Sequence, residues 1–272
     1  MTIRVSVREL LARMPIVDAA FRRFIWSRLY FPENEMRFIH DLPRGALDVA
    51  VDVGAAQGSY AWILNRKARE VHAFEPGEKH GRYLRNASVF SRVKTHACAV
   101  GAAPGIVEMF TPGDDSNALH SATLSATNPV VHGVAVEVRN VEQVTLDEFF
   151  GRGQFTGRTI DILKVDVEGY ELEVFKGANR VLAKHRPIVI CEIEIRHNAD
   201  YRDVFSLLRR AGYRSLAYIN GAFRPVDVEQ VALLQTEQAL QVRIGRAYNP
   251  VENKYINNFV FEHEQSRIKV MQ

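Results

Sequence analysis

The sequence predicts a doubly wound α/β fold built on a mostly parallel sheet, and three observations predict it. From residue 46 onward, short β-branched apolar runs alternate with windows of helical periodicity, the mark of successive βαβ units. The first run, Val49-Ala50-Val51-Asp52-Val53, leads through a bend at Gly54 into a helical window, as at the first turn of such a sheet. Acidic residues stand at the ends of later runs, where the ligand crevice of this architecture opens.

Composition sets the bounds. The chain has 272 residues, 47% of them hydrophobic and 25% charged, which supplies a sizeable core and excludes a disordered or fibrous protein. Thirty-five Lys and Arg against 32 Asp and Glu leave a net charge of +3, too mild for a nucleic-acid partner that needs many clustered cations. Cys98 and Cys191 lie far apart in apolar runs and read as small buried thiols, as in a reducing cytoplasm. Neither an apolar signal region nor a stretch near the ~20 residues of a membrane span is present, so a cytoplasmic chain is expected.

The elements follow in order. Residues 1–44 form a helical N-terminal extension, with Phe21, Phe24, Ile25 and Leu29 at helical spacing and Pro32 and Pro43 as punctuation. Its Arg22, Arg23 and Arg28, beside Trp26, Tyr30 and Phe31, would suit a peripheral contact with an anionic membrane face. A helical cap packed on the main domain, its arginines solvated, is preferred. The main domain, 45–272, should hold parallel strands at 47–53, 70–74, 93–97, 160–165 and 188–193. Helices are expected at 60–67, 79–88, 171–183 and 201–211; in the third, Leu172, Phe175 and Leu182 share a face while Glu173, Lys176 and Arg180 point away. Residues 105–140, with Pro112-Gly113 and a run of Asp, Ser and Asn, look like a loop with short strands, a natural place for substrate contacts. Runs at 213–219, 223–226 and 259–262, with the turn Asn220-Gly221, predict an antiparallel C-terminal edge.

The bend after the first strand lets a ligand approach the backbone closely. A dinucleotide fingerprint would need glycines at 54, 56 and 59, and Ala56 and Ser59 stand at the last two. Asp52, two residues before Gly54, favours an ammonium-bearing ligand over a diphosphate, so S-adenosylmethionine fits better than NAD. Glu75 ends the second strand, and Pro76 keeps it extended. It falls near the ~20-residue offset at which an acidic group meets a ribose. In the run Lys164-Val165-Asp166-Val167-Glu168-Gly169, Asp166 and Glu168 emerge at the strand's carboxyl end, and strand alternation puts Glu192 and Glu194 on one face of the next strand.

Taken with Ala99-Val100-Gly101, Gly105, Thr145-Leu146-Asp147 and Gly177, these blocks resemble the FkbM-type methyltransferases over about residues 47–195. Asn257-Asn258-Phe259-Val260-Phe261 is similar to that family's C-terminal strand, while residues 1–44 match nothing in it. The chain departs from the family at Ala56-Gln57, where members commonly carry Asn and an aliphatic residue. The resemblance implies a Rossmann-like, S-adenosylmethionine-dependent O-methyltransferase acting on a hydroxyl of a sugar in a glycan or glycolipid, or of a polyketide-type product. It implies that Asp52 and the backbone of Gly54, Ala55, Gln57 and Gly58, running on into Ser59 and Tyr60, hold the methionine part. By the same token Glu75 and Pro76 hold the ribose, and Cys98-Ala99 lies by the adenine.

The candidate general bases are Asp166, Glu168 and His197, the carboxylates having helix capping as their plainer role. A magnesium ion on Asp166, Glu168 and Glu192 would lower the acceptor's pKa, but strand-end carboxylates more often serve the nucleoside, and no metal ligand is assigned. Two alternatives stand beside the methyltransferase. One is an NAD-dependent oxidoreductase, which the missing glycine and the lack of a well-placed Tyr-x-x-x-Lys pair oppose. The other is a non-catalytic nucleoside-binding module.

Overall fold

A computed structural model of the chain describes residues 33–86, 91–112, 122–126, 128, 135–236 and 255–270. Nearly all of the expected N-terminal extension, with its arginine and aromatic cluster, lies outside the described residues. Helix α1 spans Asn34–Asp41, followed by β1 Leu47–Val53, α2 Ser59–Asn65, β2 Ala68–Phe74, α3 Glu78–Asn86, β3 Val93–His96, β4 Ala99–Val100, β5 Gly105–Pro112 and β6 Val136–Val144. The second half comprises α4 Leu146–Phe150, β7 Ile160–Val165, α5 Glu171–Lys176, α6 Asn179–His185, β8 Ile188–Glu192, α7 Tyr201–Arg210, β9 Tyr213–Ile219, β10 Ala222–Pro225, α8 Val231–Leu234 and β11 Asn258–His263. Among the described residues no helix is long and apolar enough to cross a membrane.

Eight strands form one sheet in the order β10-β9-β11-β8-β7-β1-β2-β3, parallel from β8 through β3 and antiparallel at the β11, β9 and β10 end. The central strands are apolar on both faces, as they must be when helices cover both. On one face Val51, Val53, Leu163, Val165 and Phe259 pack with Phe149, Phe175, Val181 and Phe205 of α4 to α7. On the other, Ala50, Ile162, Ile190 and Val260 pack with Ile39, Trp62, Ile63 and Leu84 of α1 to α3. The sheet is therefore doubly wound, with its ligand crevice at the carboxyl ends of β1, β2, β7 and β8.

Two expectations need correction in detail. The helix expected over 171–183 is two helices, broken at Gly177. A Cβ there would lie 2.0 Å from the Gly101 carbonyl oxygen, so the chain closes against that turn. Asp147 then accepts hydrogen bonds from the Arg180 and Val181 amides, both at 2.9 Å, and so caps α6. Secondly, the strands in the segment at 105–140 are longer than expected, while the run of Asp, Ser and Asn at 114–117 lies outside the described residues. β5 and β6 pair along their length as a hairpin and, with β4, make a separate three-stranded sheet. The expected antiparallel C-terminal edge is present, with β11 between β8 and β9 and β10 outermost.

Candidate cofactor and active site

The carboxyl ends of β1, β2, β7 and β8 open into a cavity of about 410 Å³. Gly54 makes its floor possible. Its φ is +78°, and a Cβ there would fall 1.8 Å from the Asp166 carbonyl oxygen, so β1 can leave the sheet against β7 only at a glycine. The Gly54 and Ala55 amides both donate to the Phe74 carbonyl, at 3.0 and 3.1 Å, which ties the bend to the end of β2.

That tie presents Glu75. Its Oε2 accepts from the Ala56 amide at 2.8 Å and its Oε1 from the Gly77 amide at 2.7 Å, so both oxygens are fixed at the cavity wall. Each oxygen keeps a second acceptor site for a ligand hydroxyl. Burial pushes the Glu75 carboxyl above its ordinary range; the two amides pull it down and nearby Asp166 pushes it up. Pro76, His80, Cys98 and Ala99 complete this side of the cavity.

The opposite side is acidic. Asp166, Glu168, Glu192 and Glu33 line it, and among the described lining residues there is no Lys or Arg. Glu33 accepts a short hydrogen bond from the Tyr60 hydroxyl, and Glu192 accepts one from the Asn257 side chain. The Glu192 carboxyl is raised well above its ordinary value by burial and by Asp166. Glu168 Oε2 lies 2.9 Å from His197 Nδ1. Burial raises the Glu168 carboxyl, while the hydrogen bond from His197 opposes that rise.

One cation sits beneath this wall. Lys164 is fully buried, its Nζ 3.6 Å from Asp166 Oδ2, 3.3 Å from Asn258 Oδ1 and 4.9 Å from the Tyr60 ring centroid. Burial opposes its charge, but Asp166, Glu33 and Glu192 outweigh burial and hold the ammonium protonated. The wall is thus an anionic surface braced from behind, suited to a cationic or hydroxyl-bearing ligand.

The family described as Methyltransferase FkbM domain matches residues 52–215, more than half of the chain and all of the parallel core around this cavity apart from the first residues of β1. The chain belongs to the FkbM methyltransferase family.

Among curated proteins it is 31% identical over 169 residues to the hexuronic acid methyltransferase AglP of Haloferax volcanii, across 60% of this chain and 62% of that protein. It therefore spans less than two thirds of that relative's length. Among solved structures, a methyltransferase FkbM from Methylobacillus flagellatus is matched at TM-score 0.45 with 16% identity, over 92% of this chain and 54% of that one. An O-methyltransferase from Bacillus cereus in complex with SAH is matched at TM-score 0.41 with 12% identity, over 89% and 96%.

Within the FkbM domain, the residues expected to bind cofactor separate into two groups. Gly54, Glu75, Pro76, Cys98 and Ala99 line the cavity, as do Asp166 and Glu168 of the expected catalytic set. His197 stands behind Glu168 rather than on the lining. Ala55, Gln57, Gly58 and Ser59 build the bend and the start of α2, and Tyr60 is buried behind Glu33. Asp52 does not line the cavity. It is the Cα partner of Lys164 across β1 and β7, is 2% exposed, and has an Oδ2 with no hydrogen-bond partner among the described residues. Its carboxyl rises to about 7, because burial, Asp166 and Glu75 outweigh Lys164.

Several contributors were not anticipated from sequence. Glu33 and His80 line the cavity, and Thr123 and Leu124 enter it from the segment between β5 and β6. Glu171 lies deeper, accepting from the Gly169 amide at 2.9 Å and from the Asn198 side chain, which links the turns after β7 and β8. The described residues hold no group of three or more His, Cys, Asp or Glu side chains arranged for a metal ion.

Proposed function

We propose that the protein is an S-adenosylmethionine-dependent O-methyltransferase acting on a sugar hydroxyl of a glycan, glycolipid or glycosylated natural product. The observation that carries the reading is Glu75, whose two oxygens are fixed by the Ala56 and Gly77 amides beside a bend that only glycine can make. A carboxylate so held presents two acceptors to a pair of vicinal hydroxyls, the recognition that a ribose requires. Across the cavity, the carboxylates around Asp166 supply the negative surface that a sulfonium favours. A nicotinamide dinucleotide has less support, since its diphosphate would meet that same surface.

When bound, S-adenosylmethionine would supply an activated methyl group to an acceptor oxygen and leave as S-adenosylhomocysteine, with the acceptor's proton passing to a base. The chain's own tasks are alignment, exclusion of water and custody of the proton. Glu168 is placed for the last. Glu168 lines the cavity, burial raises the proton affinity of its carboxylate, and His197 meets that carboxylate from behind at 2.9 Å. A positioned base of this kind contributes ~10²- to 10⁴-fold. The base also supports a hydroxyl as the acceptor, because a carboxylate acceptor is already ionised at neutral pH and needs none. The sugar assignment takes its support from AglP, whose name gives a hexuronic acid as substrate.

The test is transfer of a labelled methyl group from S-adenosylmethionine to a panel of neutral methyl glycosides and cell glycans, followed by mass spectrometry of the product. An ether methyl on a sugar is expected, with Glu168→Gln at least ~100-fold slower. A methyl ester as the product, or full activity in Glu168→Gln, would overturn the assignment of acceptor and base.

A further inference from the structure

We propose that Thr123 and Asn128 are positioning residues for the methyl transfer. From the segment between β5 and β6 they clamp the main chain of Glu168 in the conformation that aims its carboxylate into the cavity. The inference rests on the role given to Glu168 above.

Glu168 has a φ of +48°, a left-handed conformation that a side chain with a Cβ seldom adopts unless its surroundings fix it. Two donors fix it here. The Glu168 carbonyl oxygen accepts from Thr123 Oγ1 at 2.8 Å and from Asn128 Nδ2 at 2.6 Å, and both donor residues are 1% exposed. The direction of the threonine hydroxyl is itself determined. Its oxygen already accepts from the Ser125 amide at 3.1 Å, which leaves its proton for Glu168.

The donors are anchored on their own side. Thr123 exchanges both backbone hydrogen bonds with Phe110 of β5, at 2.8 and 3.0 Å, and the Asn128 amide donates to the Ser125 carbonyl at 3.1 Å. The next peptide is held as well. Gly169, with φ +87°, donates to Glu171, and a Cβ on it would fall 2.3 Å from the His197 carbonyl oxygen and 2.9 Å from Asn128 Nδ2. Glu168 is therefore held from the hairpin on one side and from the loop bearing its partner His197 on the other. Without the hairpin-side donors, no other described residue on that side holds the carbonyl. The peptide can then relax, and its carboxylate swings away from the cavity and from His197. The Glu75 side of the cavity is not touched by this change.

The experiment uses the full chain and compares Thr123→Val, which keeps shape and loses the donor, with Thr123→Ser, which keeps the donor, and with Asn128→Ala. Methyl transfer to neutral methyl glycosides gives kcat and acceptor KM, calorimetry gives affinity for S-adenosylhomocysteine, and hydrogen exchange reports the Gly169 amide. Thr123→Val and Asn128→Ala should lose ~10-fold or more in kcat, since small misplacements at a reacting centre are costly, with cofactor affinity within about twofold of wild type. Thr123→Ser should restore kcat, and Gly169 exchange should quicken in the valine and alanine variants alone. Wild-type kcat in Thr123→Val, or equal loss in Thr123→Ser, overturns the proposal. If Glu168→Gln is as active as wild type, it is the base assignment that fails. If no glycoside is methylated, unchanged Gly169 exchange in Thr123→Val and Asn128→Ala still overturns the clamp.

Discussion

Asp52 shows how residue-scale chemistry in this protein is set by neighbours rather than by residue type. Sealed between β1 and α2 and facing Lys164, it holds its proton to about pH 7 instead of the ordinary 3.8. A carboxyl whose folded pKa is raised contributes stability that is fully present below its unfolded pKa and is lost as pH rises through the folded one. Asp52→Asn, which cannot ionise, should therefore melt above wild type at pH 8, with the advantage shrinking toward pH 4. Melting temperatures across that range decide the point, and a pH-independent difference would count against it. The same scale explains what sequence revealed of the site. Glu75 and Asp166 were legible because each directly follows an apolar strand, Glu75 with a proline after it, and Glu168 because it stands in the glycine turn just beyond Asp166. Thr123 and Asn128 were not, because their acceptor is a main-chain carbonyl 45 and 40 residues away and main-chain acceptors leave no mark in a side-chain pattern. Asp52 was legible as an acid but not as a buried one, since strand alternation does not say which face a ligand will use.

Among the elements, the pair α5 and α6 is the clearest case of long-range contact overriding local pattern. The apolar stripe of Leu172, Phe175 and Leu182 runs through both, so periodicity alone joins them into one helix. The break comes from outside, through the approach of Gly101 to Gly177 and the cap that Asp147 offers to the Arg180 and Val181 amides. Replacing Asp147 with alanine removes both acceptors at once and should cost about 1–2 kcal/mol in urea-monitored unfolding. A loss below about 0.3 kcal/mol would show that water caps α6 as well as Asp147 does. The length and pairing of β5 and β6, expected only as short strands, were not readable for a related reason. Ile106 and Val138 are exposed on its outer face while Met109 is buried toward the cavity, so apolar residues fall on both faces and blur the two-residue period.

Across the whole molecule, the parallel core was readable because strands covered on both faces are written as continuous apolar runs, and β1 and β7 have the expected bounds. The placement of β11 was not readable. A strand near the C-terminus inserts between β8 and β9 and delivers Asn257 to Glu192 and Asn258 to Lys164, so the acidic wall is assembled from both ends of the described chain. Glu33 joins it just ahead of α1, through Tyr60. The wall's charge and its buried lysine are thus products of tertiary assembly, whereas the Glu75 side is local to β1 and β2. That local half makes the most direct test. Calorimetric titration of wild type with S-adenosylhomocysteine should show one site per chain, and Glu75→Ala should weaken it about ten- to a hundredfold, as loss of charge-assisted hydrogen bonds to two hydroxyls requires. Absence of binding to wild type, or equal affinity in Glu75→Ala, would contradict the assignment of this cavity to the nucleoside.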